Sequence, residues 1–341
     1  VSALLLRQLP YSNPQQLLLL DVHQPDGNSA GFSLNRYEML RDHNRSFTGV
    51  AVAASDSMNL TGRGEPAQVS VERVSPNFFS LVGIRPQLGR DFIDEEGRTE
   101  GDHVVLISNE LWRTRFDSDR SIVNQTINLD GVPSVVAGVL PPNARFPTLV
   151  PADVWTPRYF ELTLLPTAKL RMGVGYLSMV ARLRPGVSLE SARSEMDVLN
   201  RQYTADNPKA PDAGPTIGVG VQNLRDATVA NIRTALWLLM GAVGIVLLIA
   251  CSNVASLLLS RALVRRREIA IRSALGAQRT SVVRQLLTQS LLLAFIAGVL
   301  GLALASGATR ALASLDSAQL PSGMPITMDW RVLAFTMGVS L

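Results

Sequence analysis

The sequence predicts an α+β domain of two subdomains, followed by all-α transmembrane helices. Three observations carry that prediction. Residues 7–233 alternate strand-like and helix-like apolar patterns separated by turn residues. Two runs beyond them hold no charged residue: Thr234–Ser260, 27 residues long, and Gln285–Thr309, 25 residues long. The charge is unevenly divided, with 23 Lys and Arg against 25 Asp and Glu in residues 1–233, but 9 against 3 in residues 234–341.

The composition of the 341-residue chain excludes several classes. It is 47% hydrophobic and only 18% charged, the opposite of a disordered chain. The single cysteine, Cys251, rules out a disulfide scaffold and a multi-thiolate zinc site. His23, His43 and His103 are too scattered to predict a histidine metal cluster. The net charge of +4 arises between two apolar runs and is no argument for nucleic acid. The P-loop, G-x-S-x-G and H-E-x-x-H patterns are all missing, so no nucleotide binding through a P-loop is expected and little chemistry is legible in residues 7–233. The acidic run Asp94-Glu95-Glu96 lacks the spacing of a calcium loop and reads as a solvated loop.

The elements follow in order. The chain starts Val1-Ser-Ala-Leu-Leu-Leu6 with neither methionine nor leader layout, yet a large exported domain follows. Residues 1–6 are therefore expected to end a truncated first transmembrane helix, and the chain to be a fragment. Within 7–233, helices are predicted over Leu34–Asn44, Asn109–Phe116 and Leu189–Asp206, the last capped by Ser188 after the turn Arg184-Pro185-Gly186. Strands are predicted over Ala67–Val74, Val104–Ile107, Thr126–Leu129, Ser134–Val139, Leu177–Leu183 and Thr216–Val221. Asp130-Gly131 marks a two-residue hairpin. The proline-rich stretch Leu140–Pro157 reads as a crossing between the two subdomains, and Trp112 and Trp155 as core residues.

Each charge-free run exceeds the roughly 20 residues that cross a bilayer, so 234–260 and 285–309 are predicted transmembrane helices. Cys251, inside the first, reads as a small packing residue. Residues 261–284 carry seven arginines and one acid, whereas 310–331 carries two of each sign. The positive-inside rule places 261–284 in the cytoplasm, and 7–233 and 310–331 outside it. Residues 332–341 begin a further, truncated transmembrane helix.

The cytoplasmic loop is organised. Glu268 and Arg272 stand four apart with the acid first, Ile271, Ala274 and Leu275 make a short apolar face, and Gly276 is a stop. Such a helix suits a lipid surface or a cytoplasmic partner equally well. In the second span, Ala297, Gly301 and Ala305 form a small-residue stripe for helix packing, within one subunit or between two.

The run CSNVASLLLSR from Cys251 to Arg261 and the run RREIAIRSALGA from Arg266 to Ala277 resemble the FtsX/MacB-type permeases of ABC transporters. VSPNFFSLVGIRPQLGR at 74–90, VLISNELW at 105–112, GVLP at 138–141, DVWTP at 153–157 and ARLRPG at 181–186 resemble the MacB-like periplasmic core domain. The subtype is similar to the internally duplicated orphan permeases of acidobacteria.

The resemblance implies a permease subunit in the bacterial inner membrane, multi-pass, with its large domain outside. It implies a cytoplasmic ABC ATPase partner that binds the ATP, so that no catalytic, cofactor-binding or metal residue and no cofactor are expected on this chain. Arg267–Ala277 becomes the coupling helix, with Arg267, Glu268, Ile271, Arg272, Leu275 and Gly276 at the contact, and 234–260 a stalk that carries ATP-driven motion outward for export or mechanotransmission. Membrane lipid and a second permease, as a dimer or an internally duplicated pair, are further partners; a periplasmic adaptor is left open, and nucleic acid is not expected. The competing function is a membrane-anchored receptor or scaffold whose outer domain binds a ligand or partner without an ATPase.

Overall fold

The computed structural model describes residues 11–227, apart from 12, 25–28, 63, 64, 143, 145, 147, 148, 150 and 225, then residues 237–260 apart from 239 and 258, and residues 284, 288, 296, 297, 300, 301, 303, 304 and 307. The chain divides into two compact units, Arg7–Ala230 on the one hand and Val1–Leu6 with Asn231–Leu341 on the other.

The first unit is built on one sheet of eleven strands. In chain order they are β1 (Leu17–His23), β2 (Ser29–Ala30), β3 (Phe47–Thr61), β4 (Ala67–Val74), β5 (Leu88–Gly89), β6 (Val104–Ile107), β7 (Thr126–Leu129), β8 (Val132–Val139), β9 (Val154–Thr156), β10 (Ser178–Leu183) and β11 (Gly218–Asn223). The helices are α1 (Leu34–His43), α2 (Phe78–Val82), α3 (Asn109–Arg115), α4 (Thr167–Leu170) and α5 (Leu189–Asp206). The strands run β11-β1-β10-β3-β4-β9-β6-β8-β5, with β2 on β1 and β7 joining β3 to β8.

The 15-residue β3 holds this sheet together. Its first half pairs with β10 (Val50↔Ala181), its far end with β7 (Leu60↔Leu129), and β4 lies along it from Ala53↔Val74 to Leu60↔Ala67. The proline-rich stretch 140–157 does not separate two subdomains as expected. Its Val154–Thr156 becomes β9, parallel to β4 and antiparallel to β6, and stitches both halves into the same sheet.

Strand alternation sorts the core. Leu18, Leu20 and Val22 of β1 join Val50 and Val52 of β3 under α1 and α5, which contribute Tyr37, Leu40, Met196 and Leu199. Leu17, Ala51 and Ala53 point the other way, toward Phe78, Phe79 and Trp155. A third cluster places Val71, Val105, Ile107, Ile127, Leu129 and Val136 against Leu111 of α3.

The predicted local signals hold where their chemistry is local. Ser188 accepts a hydrogen bond from the Ser191 N–H, and Ser33 and Ser108 cap α1 and α3 in the same way. Asp130 and Gly131 have φ of 50° and 84°, the left-handed pair of a type I′ turn, and set the register Leu129↔Val132. Trp155 is buried; Trp112 packs at the edge of the third cluster and donates its indole N–H to Asp119 O at 2.8 Å. The acidic run is a correction. Asp94 and Glu95 are exposed, but Glu96 is buried, receives Arg90 Nη2 at 2.5 Å and accepts the Ile93 N–H at 3.0 Å.

In the second unit one helix among the described residues, Met240–Leu257, is long and apolar enough to cross a membrane, and none of it is buried. Leu248, Ile249, Leu257 and Cys251 are exposed. A helix of this length and apolar composition is suited to crossing a membrane. The described residues between Arg284 and Gly307 are helical. Residues 1–6, 261–283, 310–331 and 332–341 lie outside the described residues.

Candidate functional site

The chain enters the sheet of the first unit through β1 and leaves it through β11. These two strands are antiparallel neighbours over six register pairs, from Leu18↔Asn223 to His23↔Gly218. The start of β1 and the end of β11 therefore lie at the same end of the ladder. The residues that flank it are buried in one cluster: Tyr11 and Leu17 on the inbound side, Leu224 on the outbound side.

A train of aromatic rings runs from this junction into the sheet. Tyr11 lies 5.7 Å from Phe146, Phe146 5.5 Å from Phe78, and Phe78 6.0 Å from Trp155 on β9, ring centre to ring centre. Burial pushes the Tyr11 phenol above its ordinary range, so it remains neutral. Two arginines tie flanking elements together. Arg193 of α5 donates to Val221 O of β11 at 3.0 Å, and Arg182 of β10 donates to Leu81 O of α2 at 2.9 and 2.6 Å.

Two buried polar networks brace the rest. Arg73 of β4 meets Asp56 of β3 at 2.7 Å and Glu161 at 3.7 Å; Arg158 grips the same Glu161 at 2.6 and 2.9 Å and donates to the carbonyls of Arg98, Thr99 and Gly101. Burial raises the Asp56 carboxyl, but the Thr163 N–H and the Arg73 guanidinium outweigh it and hold Asp56 below its ordinary value. Beside α1, Arg36 donates to Asn200 Oδ1 at 3.0 Å and lies 3.4 Å from Asp212, which also accepts from Ser33 and Tyr203. Both networks bind distant segments and leave no open nucleophile, so they read as braces. Glu72 of β4 differs. It is 1% exposed, its Oε1 accepts from Ser55, and its Oε2 has no hydrogen-bond partner. Among the described residues no group of three or more His, Cys, Asp or Glu side chains comes together.

The expected site residues stand elsewhere. Arg267, Glu268, Ile271, Arg272, Leu275, Gly276 and Ala305 lie outside the described residues. Ala297 and Gly301 are helical and exposed. Sequence reasoning passed over the junction residues Tyr11, Leu17, Leu224 and Arg193. The only signal was the leucine run 17–20, which does not by itself distinguish strand from helix.

Comparison with known families matches residues 2–199, more than half of the chain, to the MacB-like periplasmic core domain. Residues 240–341 match the FtsX-like permease C-terminal region. The chain belongs to the MacB/FtsX-like family of ABC transporter permeases. This MacB-like chain is 27% identical over 266 residues to the macrolide export ATP-binding/permease protein MacB of Burkholderia cenocepacia, covering 74% of this chain but 35% of that protein. It is 24% identical over 288 residues to an ABC transporter permease, YknZ, of Bacillus subtilis, covering 83% of this chain and 66% of that one. The MacB-like chain thus spans about a third of the MacB relatives it matches. Among solved structures, the periplasmic region of MacB from Actinobacillus actinomycetemcomitans aligns at 12% identity and a TM-score of 0.46, over 64% of this chain and 94% of that one. The extracellular domain of YknZ aligns at 16% identity and a TM-score of 0.43, over 60% and 99%.

Proposed function

We propose that this chain is the membrane part of an ABC transporter in the bacterial inner membrane. A cytoplasmic ATPase binds and hydrolyses ATP, and the permease converts closure of that ATPase into a conformational change of the outer domain, for export or mechanotransmission. In this reading the nucleotide is held by the ATPase and not by this chain. The observation that supports this most is the junction: the inbound strand β1 and the outbound strand β11 are hydrogen-bonded neighbours whose flanking residues share one core cluster. A displacement brought along either chain segment is delivered to the same corner of a rigid sheet, because close-packed cores transmit strain. Residues 261–284, with seven arginines between two apolar runs, supply the cytoplasmic segment for the ATPase to grip. Glu268 and Arg272 are its contacts in this reading, and Ala297, Gly301 and Ala305 pack the second span, in a permease dimer or a duplicated pair.

The test is affinity purification of the full-length protein from its native membrane, with the Glu268→Lys variant alongside. An ATPase that co-purifies with the parent and is lost with the variant supports the reading. A preparation that brings down no ATPase in mild detergent favours a receptor or scaffold instead. A fully coupled Glu268→Lys variant removes Glu268 from the contact.

A further inference from the structure

We propose that Asp21, His23 and Ser29 form a binding site for a zinc-class divalent metal ion on the outer domain. The three residues stand on the paired strands β1 and β2, where His23 is the register partner of Ser29. Asp21 and His23 are two apart on β1 and so share a face, the one opposite Leu20 and Val22. On that face their register partners on β11 are Gly220 and Gly218, which have no side chains.

The side chains lean into the space those glycines leave. A Cβ at position 220 would collide with both Asp21 Oδ1 and His23 Nε2, so the two donor atoms converge over the same backbone atom. They are 3.8 Å apart, too far for a hydrogen bond. Two ligand atoms bound to one ion by ~2.1 Å bonds at a tetrahedral angle lie about 3.4 Å apart, so a small rotation of the exposed His23 ring suffices. Asp21 Oδ1 is shielded from solvent and has no hydrogen-bond partner, a buried carboxylate oxygen whose charge no donor compensates.

Ser29 organises the pair. Its hydroxyl donates to the other carboxylate oxygen, Asp21 Oδ2, at 2.8 Å, and lies 3.5 Å from His23 Nδ1. A hydroxyl whose one proton is given to a carboxylate accepts from the ring, so the imidazole proton belongs on Nδ1 and the lone pair on Nε2. A ligating imidazole with its second nitrogen hydrogen-bonded, beside a ligating carboxylate with its second oxygen hydrogen-bonded, is the support that metal-binding side chains receive in zinc sites. The protein supplies two ligands, one nitrogen and one oxygen, and water fills the remaining positions. The imidazole donor favours zinc, nickel or copper over magnesium or calcium. The site is independent of the transport reading.

The experiment is calorimetric titration of ZnCl2 into the untagged, chelator-stripped full chain in detergent. One Zn2+ per chain is expected, with affinity reduced tenfold or more by His23→Ala and by Asp21→Asn, and roughly tenfold by Ser29→Ala, which removes no ligand. Circular dichroism establishes that each variant is folded; His23→Gln replaces His23→Ala if the latter is not. Absence of Zn2+ binding by the parent chain overturns the site, as does unchanged affinity in His23→Ala or His23→Gln. So does loss of binding on Cys251→Ser, which would move the ion to the membrane helix.

Discussion

Leu18 of β1 is paired with Asn223 of β11, the last strand of the outer domain to leave the strand ladder. The chain thus enters and leaves this sheet through adjacent strands. Register partners in an antiparallel pair lie about 5 Å apart at Cα, within the reach of a disulfide. Cysteines at the partner positions Leu19 and Gln222, in a Cys251→Ala background, should crosslink on oxidation. If the two strands move as one body, the oxidised protein keeps its stimulated ATP hydrolysis. Loss of stimulation that reductant restores would mean that β1 and β11 part during the cycle.

Glu72 makes the outer domain less stable as pH rises. Burial pushes its carboxyl up to about 7, with only the Ser55 hydroxyl acting in the other direction. The folded state therefore holds this proton between about pH 4.5 and 7 while the unfolded chain has released it. The protonated folded state is favoured at low pH, and about 3 kcal/mol is lost as pH rises from about 4.5 to 7, with no further loss above that. Urea midpoints of the full chain from pH 5 to 9, read by tryptophan fluorescence, should fall more steeply for the parent than for Glu72→Gln. Parallel profiles would show that Glu72 ionises without cost.

Arg73→Ala should destabilise the outer domain by about 3–5 kcal/mol, because it leaves the buried Asp56 carboxylate without its cation. The double variant with Asp56→Ala should recover part of that loss, since no uncompensated charge remains. Thermal unfolding of the two singles and the double measures the coupling. Strict additivity would count against a direct pair.

Gly89 sits at φ +75°, and a Cβ there would strike Ala137 O and come within 2.7 Å of Gly138 Cα. Gly89→Ala should cost about 2–4 kcal/mol through backbone strain and overlap. It should loosen the β5–β8 pair at Leu88↔Val139 before any other part of the sheet, visible as faster amide exchange there. Uniform exchange across the sheet would contradict that order.

Parts of this fold were legible in the sequence because the chemistry that makes them is local. Asp130-Gly131, the Ser188 cap and the alternation of Ala67–Val74 each declare themselves within a few residues. β3 did not, because Val50–Ala54 is buried at every position and so shows no alternation, while its remainder is rich in small and polar residues. β9 is three residues among prolines and is a strand only because β4 and β6 flank it. The bond between Arg36 and the Asp212 backbone spans 176 residues, and that between Thr163 and Asp56 spans 107; no spacing rule links such partners. The junction was hidden for the same reason, since Leu17 and Leu224 join one cluster only after the whole sheet has formed.

The bond from Arg193 to Val221 O has a bearing on how crowded copies of this protein behave. Among the described residues β11 is the outermost strand on its side of the sheet, paired with β1, and such a strand is a template on which a neighbouring molecule can polymerise. With a guanidinium laid on one of its carbonyls and glycines at 218 and 220 weakening its β-forming tendency, β11 is a poor seed for growth. The molecule is thereby guarded against strand-swapped aggregation at the strand through which its chain leaves the sheet.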